Sequence, residues 1–109
     1  MSLNKTQYEV MNITMEECAE VIQAISKIFR FGLESIHPET GIDNKTHLET
    51  EIGDLRAMLD LLIRSHNLSM SNITKAYINK NQKLLKWSNI DPNNITSNVV
   101  PNRDTHPRL

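Results

Sequence analysis

The amino-acid sequence predicts an all-α protein, a bundle built from long helices. Residues 5–31 contain neither glycine nor proline, and their apolar residues recur at helical rather than alternating spacing. Apart from Gly53, the turn-forming glycines and prolines gather between or after such stretches, at Gly32, Pro38, Gly41, Pro92, Pro101 and Pro107. No run of β-branched and aromatic residues is long enough to build a sheet.

The first helix spans residues 5–31 through Val10, Met11, Ile13, Cys18, Val21, Ile25, Ile28 and Phe29, with a candidate interruption at residues 12–14. Gly32 supplies a stop signal, and residues 32–45 read as a loop. Thr46 with Glu49 three residues on has the pattern of a capping box. It opens a second helix through Leu48, Ile52, Leu55, Leu59 and Leu62, which fades at residues 65–67. Ser71 is a candidate cap for a third helix through Ile73, Tyr77, Leu84 and Trp87, with Trp87 expected in the core. Residues 1–88 thus form one helical domain, and residues 89–109 a polar tail containing three prolines, either disordered or packed on a neighbouring chain.

A continuous first helix would be about 40 Å long at ~1.5 Å per residue, more than the ~30 Å width of a small domain. Its apolar arc, through Met15, Cys18, Val21, Ile22, Ile25 and Ile28, is wider than the ~100° that one-sided packing requires. A chain of this length also hides only about two-thirds of its unfolded surface. Together these features predict a homodimer or higher homo-oligomer that completes the bundle.

The charge balance excludes some partners. With 12 basic and 13 acidic residues, the chain has no net field to draw it to nucleic acid or to an anionic membrane. Cys18 is the single cysteine, so no internal disulfide forms, and no apolar run approaches the ~20 residues that span a bilayer. Met1 is followed by polar residues rather than by a leader pattern, and the expected location is the cytoplasm. Asn-x-Ser/Thr triplets at Asn12, Asn67, Asn72 and Asn94 are expected by chance in so asparagine-rich a chain.

The acids carry the chemistry. Placed on a helical wheel at about 100° per residue, Glu49 and Asp60 fall on the outer face of the second helix with Arg56. Glu51 instead lies at the edge of the apolar arc, and Asp54 follows three residues later beside Met58. On the first helix Glu17 sits inside the arc, Glu20 is one step outside it, and Glu16 is turned towards solvent. A single acid on an apolar edge ordinarily snorkels out or pairs with a lysine. Two such pairs at i, i+3 spacing on consecutive helices argue for convergence, and converging carboxylates repel one another unless a cation lies among them. Oxygen ligands with no cysteine or histidine at matching positions select Mg²⁺, or Mn²⁺, over zinc. On the third helix Lys80 lies in the middle of the apolar stripe, flanked by Asn81 and Lys83. A lysine inside an apolar stripe is more often a snorkelling stem than a ligand, but opposite a carboxylate-bound metal Lys80 and its neighbours become candidates for phosphate contacts.

The string Glu16-Glu17-Cys18-Ala19-Glu20-Val21, followed by Glu51-Ile52-Gly53-Asp54-Leu55, resembles the EExxE…ExxD signature of the MazG-like, all-α nucleoside-triphosphate pyrophosphohydrolases. The resemblance runs from about Met15 to Trp87 and includes Asn81-Gln82-Lys83-Leu84, which looks like the family's basic C-terminal helix. Carried over by position, it implies that Glu17, Glu20, Glu51 and Asp54 bind Mg²⁺ and carry catalysis; Lys80, Asn81 and Lys83 are the candidate substrate contacts by their place on the third helix. The implied reaction is attack of water on the α-phosphorus of an NTP or dNTP, giving the monophosphate and pyrophosphate.

Other readings remain open on the sequence. Phosphoribosyl-ATP pyrophosphohydrolase has similar motifs on a chain of similar length, and Gly53 favours the MazG-like side. A four-helix di-iron protein needs Glu-x-x-His pairs on two helices, whereas Glu34 and His37 precede Pro38 in a loop. A non-enzymatic helical dimerisation module would explain the wide apolar arcs without metal dependence. His47, one turn before Glu51, reads either as a surface histidine near the helix start or as a support for Glu51.

Overall fold

A computed structural model describes residues 2–95 and 97. It contains α1 (Lys5–Phe31), α2 (Asn44–Ser65) and α3 (Met70–Trp87), and the described residues include no strand beyond one isolated antiparallel bridge between Ile36 and Asp43. The all-α class is therefore correct. The chain divides into two compact units, Met1–Leu68 and Ser69–Leu109.

In the first unit α1 and α2 pack side by side as a helical hairpin. Asn4 caps α1 reciprocally: its side-chain oxygen accepts from the Gln7 amide at 2.8 Å, and the Gln7 side chain accepts from the Asn4 amide at 2.9 Å. Such a cap contributes about 1 kcal/mol. The Gln7 side-chain nitrogen also donates to the Ser65 carbonyl at 3.0 Å, which pins the start of α1 to the end of α2. No interruption occurs at residues 12–14. The buried Thr14 hydroxyl donates to the Val10 carbonyl at 2.6 Å within the helix and is thereby satisfied without breaking it.

Gly32 ends α1 at a φ of 96°, where a side chain would be strained, and its amide donates to the Ile28 carbonyl. The connection then folds back on itself. His37 donates through its amide to the Ile42 carbonyl, Asn44 to Ser35 and Lys45 to Leu33, while the Asn44 side chain donates to the Gly32 carbonyl at 2.9 Å. Asn44 is consequently buried at the root of the connection.

Two expected caps are corrected. Helix α2 begins at Asn44, and its cap is Asp43, whose carboxylate accepts from the Thr46 amide at 2.7 Å. Asp43 stands at the cap-to-third-residue spacing from Thr46, and its negative charge suits a helix N-terminus. The Thr46 side chain and amide, helped by Lys45 and outweighing partial desolvation, hold the Asp43 carboxyl below its ordinary pKa. The Thr46–Glu49 box therefore does not form the cap. Likewise Ser69, not Ser71, caps α3 by accepting from the Asn72 amide at 3.1 Å.

Each helix of the first unit offers one apolar face to the other, but little becomes fully buried. Ala24 is the one fully buried apolar residue among those described, and Val10, Ile13, Val21, Ile28, Leu48, Leu55, Met58 and Leu62 are half-buried. About 120° round α1 from this packed face runs a second stripe: Tyr8, Met11, Met15, Cys18, Ile22, Ile25 and Phe29. All seven are exposed, and they repeat at alternating spacings of three and four residues, the period of a coiled-coil seam.

In the second unit, α3 closes where the Ser88 amide and hydroxyl both donate to the Leu84 carbonyl. Trp87, expected in the core, is 77% exposed with the Lys86 ammonium 5.1 Å from its ring centroid. Asp91 starts a turn, accepting from the Asn93 and Asn94 amides. The remainder of the expected tail, residue 96 and residues 98–109, lies outside the described residues.

Candidate metal centre

The helical spacing of Glu51 and Asp54 puts both on the side of α2 that turns towards α1, and Glu17 occupies the middle of the packed face of α1. Antiparallel packing brings the three together. A carboxylate oxygen from each of Glu17, Glu51 and Asp54 lies within 4.8 Å of the other two. Glu17 and Glu51 are half-buried, whereas Asp54 is exposed.

The electrostatics match the geometry. Partial burial, and then the charges of Asp54, Glu51, Glu20 and Glu16 in that order, push the Glu17 carboxyl above its ordinary pKa. Glu17 is thus the acid on which the repulsion of the whole cluster converges. Oxygen donors of this hardness, without a thiolate or imidazole in the group, suit a divalent cation such as Mg²⁺ or Mn²⁺.

The other sequence-selected residues are distributed as follows. Glu20 is exposed and stands outside the converging three, although its charge acts on Glu17. Glu16 is exposed, as its wheel position requires. Lys80 and Lys83 are exposed on α3 and Asn81 is half-buried there, all in the second unit. Glu49 and Asp60 are exposed on α2, with Asp60 paired to Arg64 at 3.1 Å. Glu34 and His37 lie in the connection, off the helices.

His47 is half-buried near the start of α2. Its side chain is 34% exposed, and Nε2 lies 3.8 Å from Glu51 Oε1. It also lines a cleft of about 150 Å³ together with Lys27, His37, Thr40, Ile42 and Asn44. Lys27 was not singled out in the sequence. Its available signal was a cation seven residues after Glu20, hence near the same side of α1, but a lone lysine at a helix edge is usually only a solvated stem.

A family model described as the MazG nucleotide pyrophosphohydrolase domain matches residues 5–87. The chain belongs to the MazG family. The match begins at the first residue of α1 and ends at the last of α3, so it covers all three helices and both acidic motifs. No curated protein and no solved structure is significantly similar to the chain. Membership of the MazG family makes this a nucleotide pyrophosphohydrolase domain, a hydrolase acting on anhydride bonds, in a family that uses a divalent metal. In this MazG domain the acidic cluster of Glu17, Glu51 and Asp54 could hold such a metal. None of the described helices is long and apolar enough to cross a membrane.

Proposed function

We propose that the protein is a Mg²⁺-dependent nucleoside-triphosphate pyrophosphohydrolase that converts an NTP or dNTP to the monophosphate and pyrophosphate. The observation that carries this reading is the convergence of Glu17, Glu51 and Asp54 within 4.8 Å in a chain of the MazG family. Glu20 belongs to the same ligand set, one turn along α1 from Glu17. When bound there, Mg²⁺ supplies Lewis-acid activation of water and neutralises charge on the phosphates. Mn²⁺ has the same oxygen preference and can substitute.

The chain's own residues hold and orient. Glu17, Glu20, Glu51 and Asp54 fix the cation's position, and His47 Nε2 stands beside this set, 3.8 Å from Glu51 Oε1. Lys80, Asn81 and Lys83 supply positive charge and donors for phosphate oxygens. Water adds to the α-phosphorus, and the bond from that phosphorus to the bridging oxygen breaks. The electron pair leaves on pyrophosphate, and the water's proton passes to solvent.

The working unit in this proposal is a homodimer. The exposed seam of Tyr8, Met11, Met15, Cys18, Ile22, Ile25 and Phe29 has a heptad period, which suits a second helix of the same kind laid along it. The reaction is tested with a panel of NTPs and dNTPs and Mg²⁺, separating pyrophosphate from orthophosphate among the products. Pyrophosphate released together with the monophosphate is expected; stepwise orthophosphate release from the γ position would refute the assignment.

A further inference from the structure

The cleft beside the carboxylates has a chemistry opposite to theirs. Among its six lining residues, Lys27, His37, Thr40, Ile42, Asn44 and His47, there is no acid. Lys27 offers donors only. His37 Nδ1 accepts from the Glu39 amide at 3.2 Å, which puts the proton of the neutral ring on Nε2 and makes that atom a donor. The Thr40 hydroxyl oxygen accepts from the Ile42 amide at 3.2 Å, so its own hydrogen is free to donate. The wall carrying these groups is held in shape by the hydrogen bonds from His37 to Ile42, Gly41 to His37 and Asn44 to Ser35.

Size and position narrow the ligand. A cleft of about 150 Å³ is smaller than the roughly 300–1,000 Å³ of sites that enclose a whole drug-sized ligand. It takes a fragment. His47 lines this cleft and also approaches Glu51 to 3.8 Å, so the cleft opens about one helical turn from the acidic cluster. A base edge presents donors as well as acceptors, whereas a polyphosphate presents acceptors alone.

We propose that this cleft seats the leaving pyrophosphate of the substrate, with Lys27, His37 and Thr40 as its contacts. This rests on the pyrophosphohydrolase reading and adds to it a division of labour. The carboxylates of Glu17, Glu51 and Asp54 face the reacting end of the triphosphate, and the cleft receives the two phosphates that depart.

The test measures binding of inorganic pyrophosphate and, separately, of nucleoside monophosphates to the full chain in Mg²⁺ by titration calorimetry. Lys27→Gln is expected to weaken pyrophosphate binding roughly tenfold or more, the scale of one charge-assisted hydrogen bond. His37→Ala, in the exposed connection, is expected to weaken it less but measurably, and it guards against a folding defect in the Lys27 variant. Monophosphate binding should change less than about twofold. Lys45→Gln removes the same charge from the exposed first turn of α2 and controls for a general charge effect. Equal weakening by Lys45→Gln, unchanged pyrophosphate affinity in the Lys27 and His37 variants, or an altered ranking of bases with pyrophosphate binding intact would overturn the proposal. The last outcome would place the base in the cleft. Loss of the activity reading looks different: the wild-type chain would hydrolyse no nucleoside triphosphate, whatever the pyrophosphate titrations show.

Discussion

Glu17 of α1 and Asp54 of α2 bring carboxylate oxygens within 4.8 Å of each other across two antiparallel helices, and Asp54 is the largest single charge acting to raise the Glu17 pKa. Like charges at such a separation are tolerated in folded proteins where function requires them. The hairpin is therefore held together against a repulsion that a divalent cation would turn into attraction.

A pH dependence follows. Because the folded-state pKa of Glu17 is raised, the native state holds its proton more tightly than the unfolded chain. The contribution of this group to stability is fully present below the ordinary carboxylate pKa and is lost as pH rises through the raised value. In chelator, Glu17→Gln should remove that loss, so the variant should melt above the wild type at neutral pH and alongside it in acid. With Mg²⁺ the order at neutral pH should reverse, since metal competes with the proton and stabilises only the wild type. Thermal melts with and without Mg²⁺ across this range check both signs. A Glu17→Gln variant less stable than wild type in chelator would show that Glu17 has a structural partner.

The seam on α1 makes a prediction about assembly. Ile22 is 67% exposed in the single chain, so an aspartate there costs the isolated helix hairpin little. In a dimer it places a charge in the middle of an apolar interface, where an unpaired buried charge is strongly destabilising. Sedimentation at micromolar concentration is expected to show a dimer or larger for the wild type and a smaller species for Ile22→Asp. A well-folded wild-type monomer would refute the packing argument.

Much of the hairpin was legible in the sequence because it depends on period. The glycine- and proline-free stretch gave α1 its observed bounds, Lys5–Phe31, and the wheel turned Glu17, Glu20, Glu51 and Asp54 towards the interior or its rim and Glu49 and Asp60 outward; Glu17 and Glu51 are half-buried and converge with the exposed Asp54, whereas Glu20 is exposed and stands apart. The caps were harder to read, since several Asn, Asp, Ser and Thr residues stand near each helix start and only the backbone path decides among them. Asp43 prevailed over Thr46, and Ser69 over Ser71. The cleft was beyond reach, because Lys27, Thr40 and His47 meet only through the fold of the connection. Trp87 misled for a related reason: its position in a stripe predicts a facing surface, and this chain leaves it exposed.

The central claim, that the inward acids are metal ligands of a hydrolase, is tested most directly by comparing Glu51→Gln with Glu49→Gln. Both changes remove one charge from α2, preserve side-chain size and lie two residues apart. Glu51 belongs to the converging group, and Glu49 is exposed and, with Asp43 as the cap, has no capping role to lose. The measurement is nucleoside-triphosphate turnover as a function of Mg²⁺ concentration. For Glu51→Gln the expected result is a loss of two or more orders of magnitude, roughly 3 kcal/mol or more in transition-state stabilisation, with weakened Mg²⁺ dependence. Glu49→Gln should keep turnover within about twofold of wild type. Equal activity in the two variants, or full activity of the wild type in excess chelator, would contradict the account.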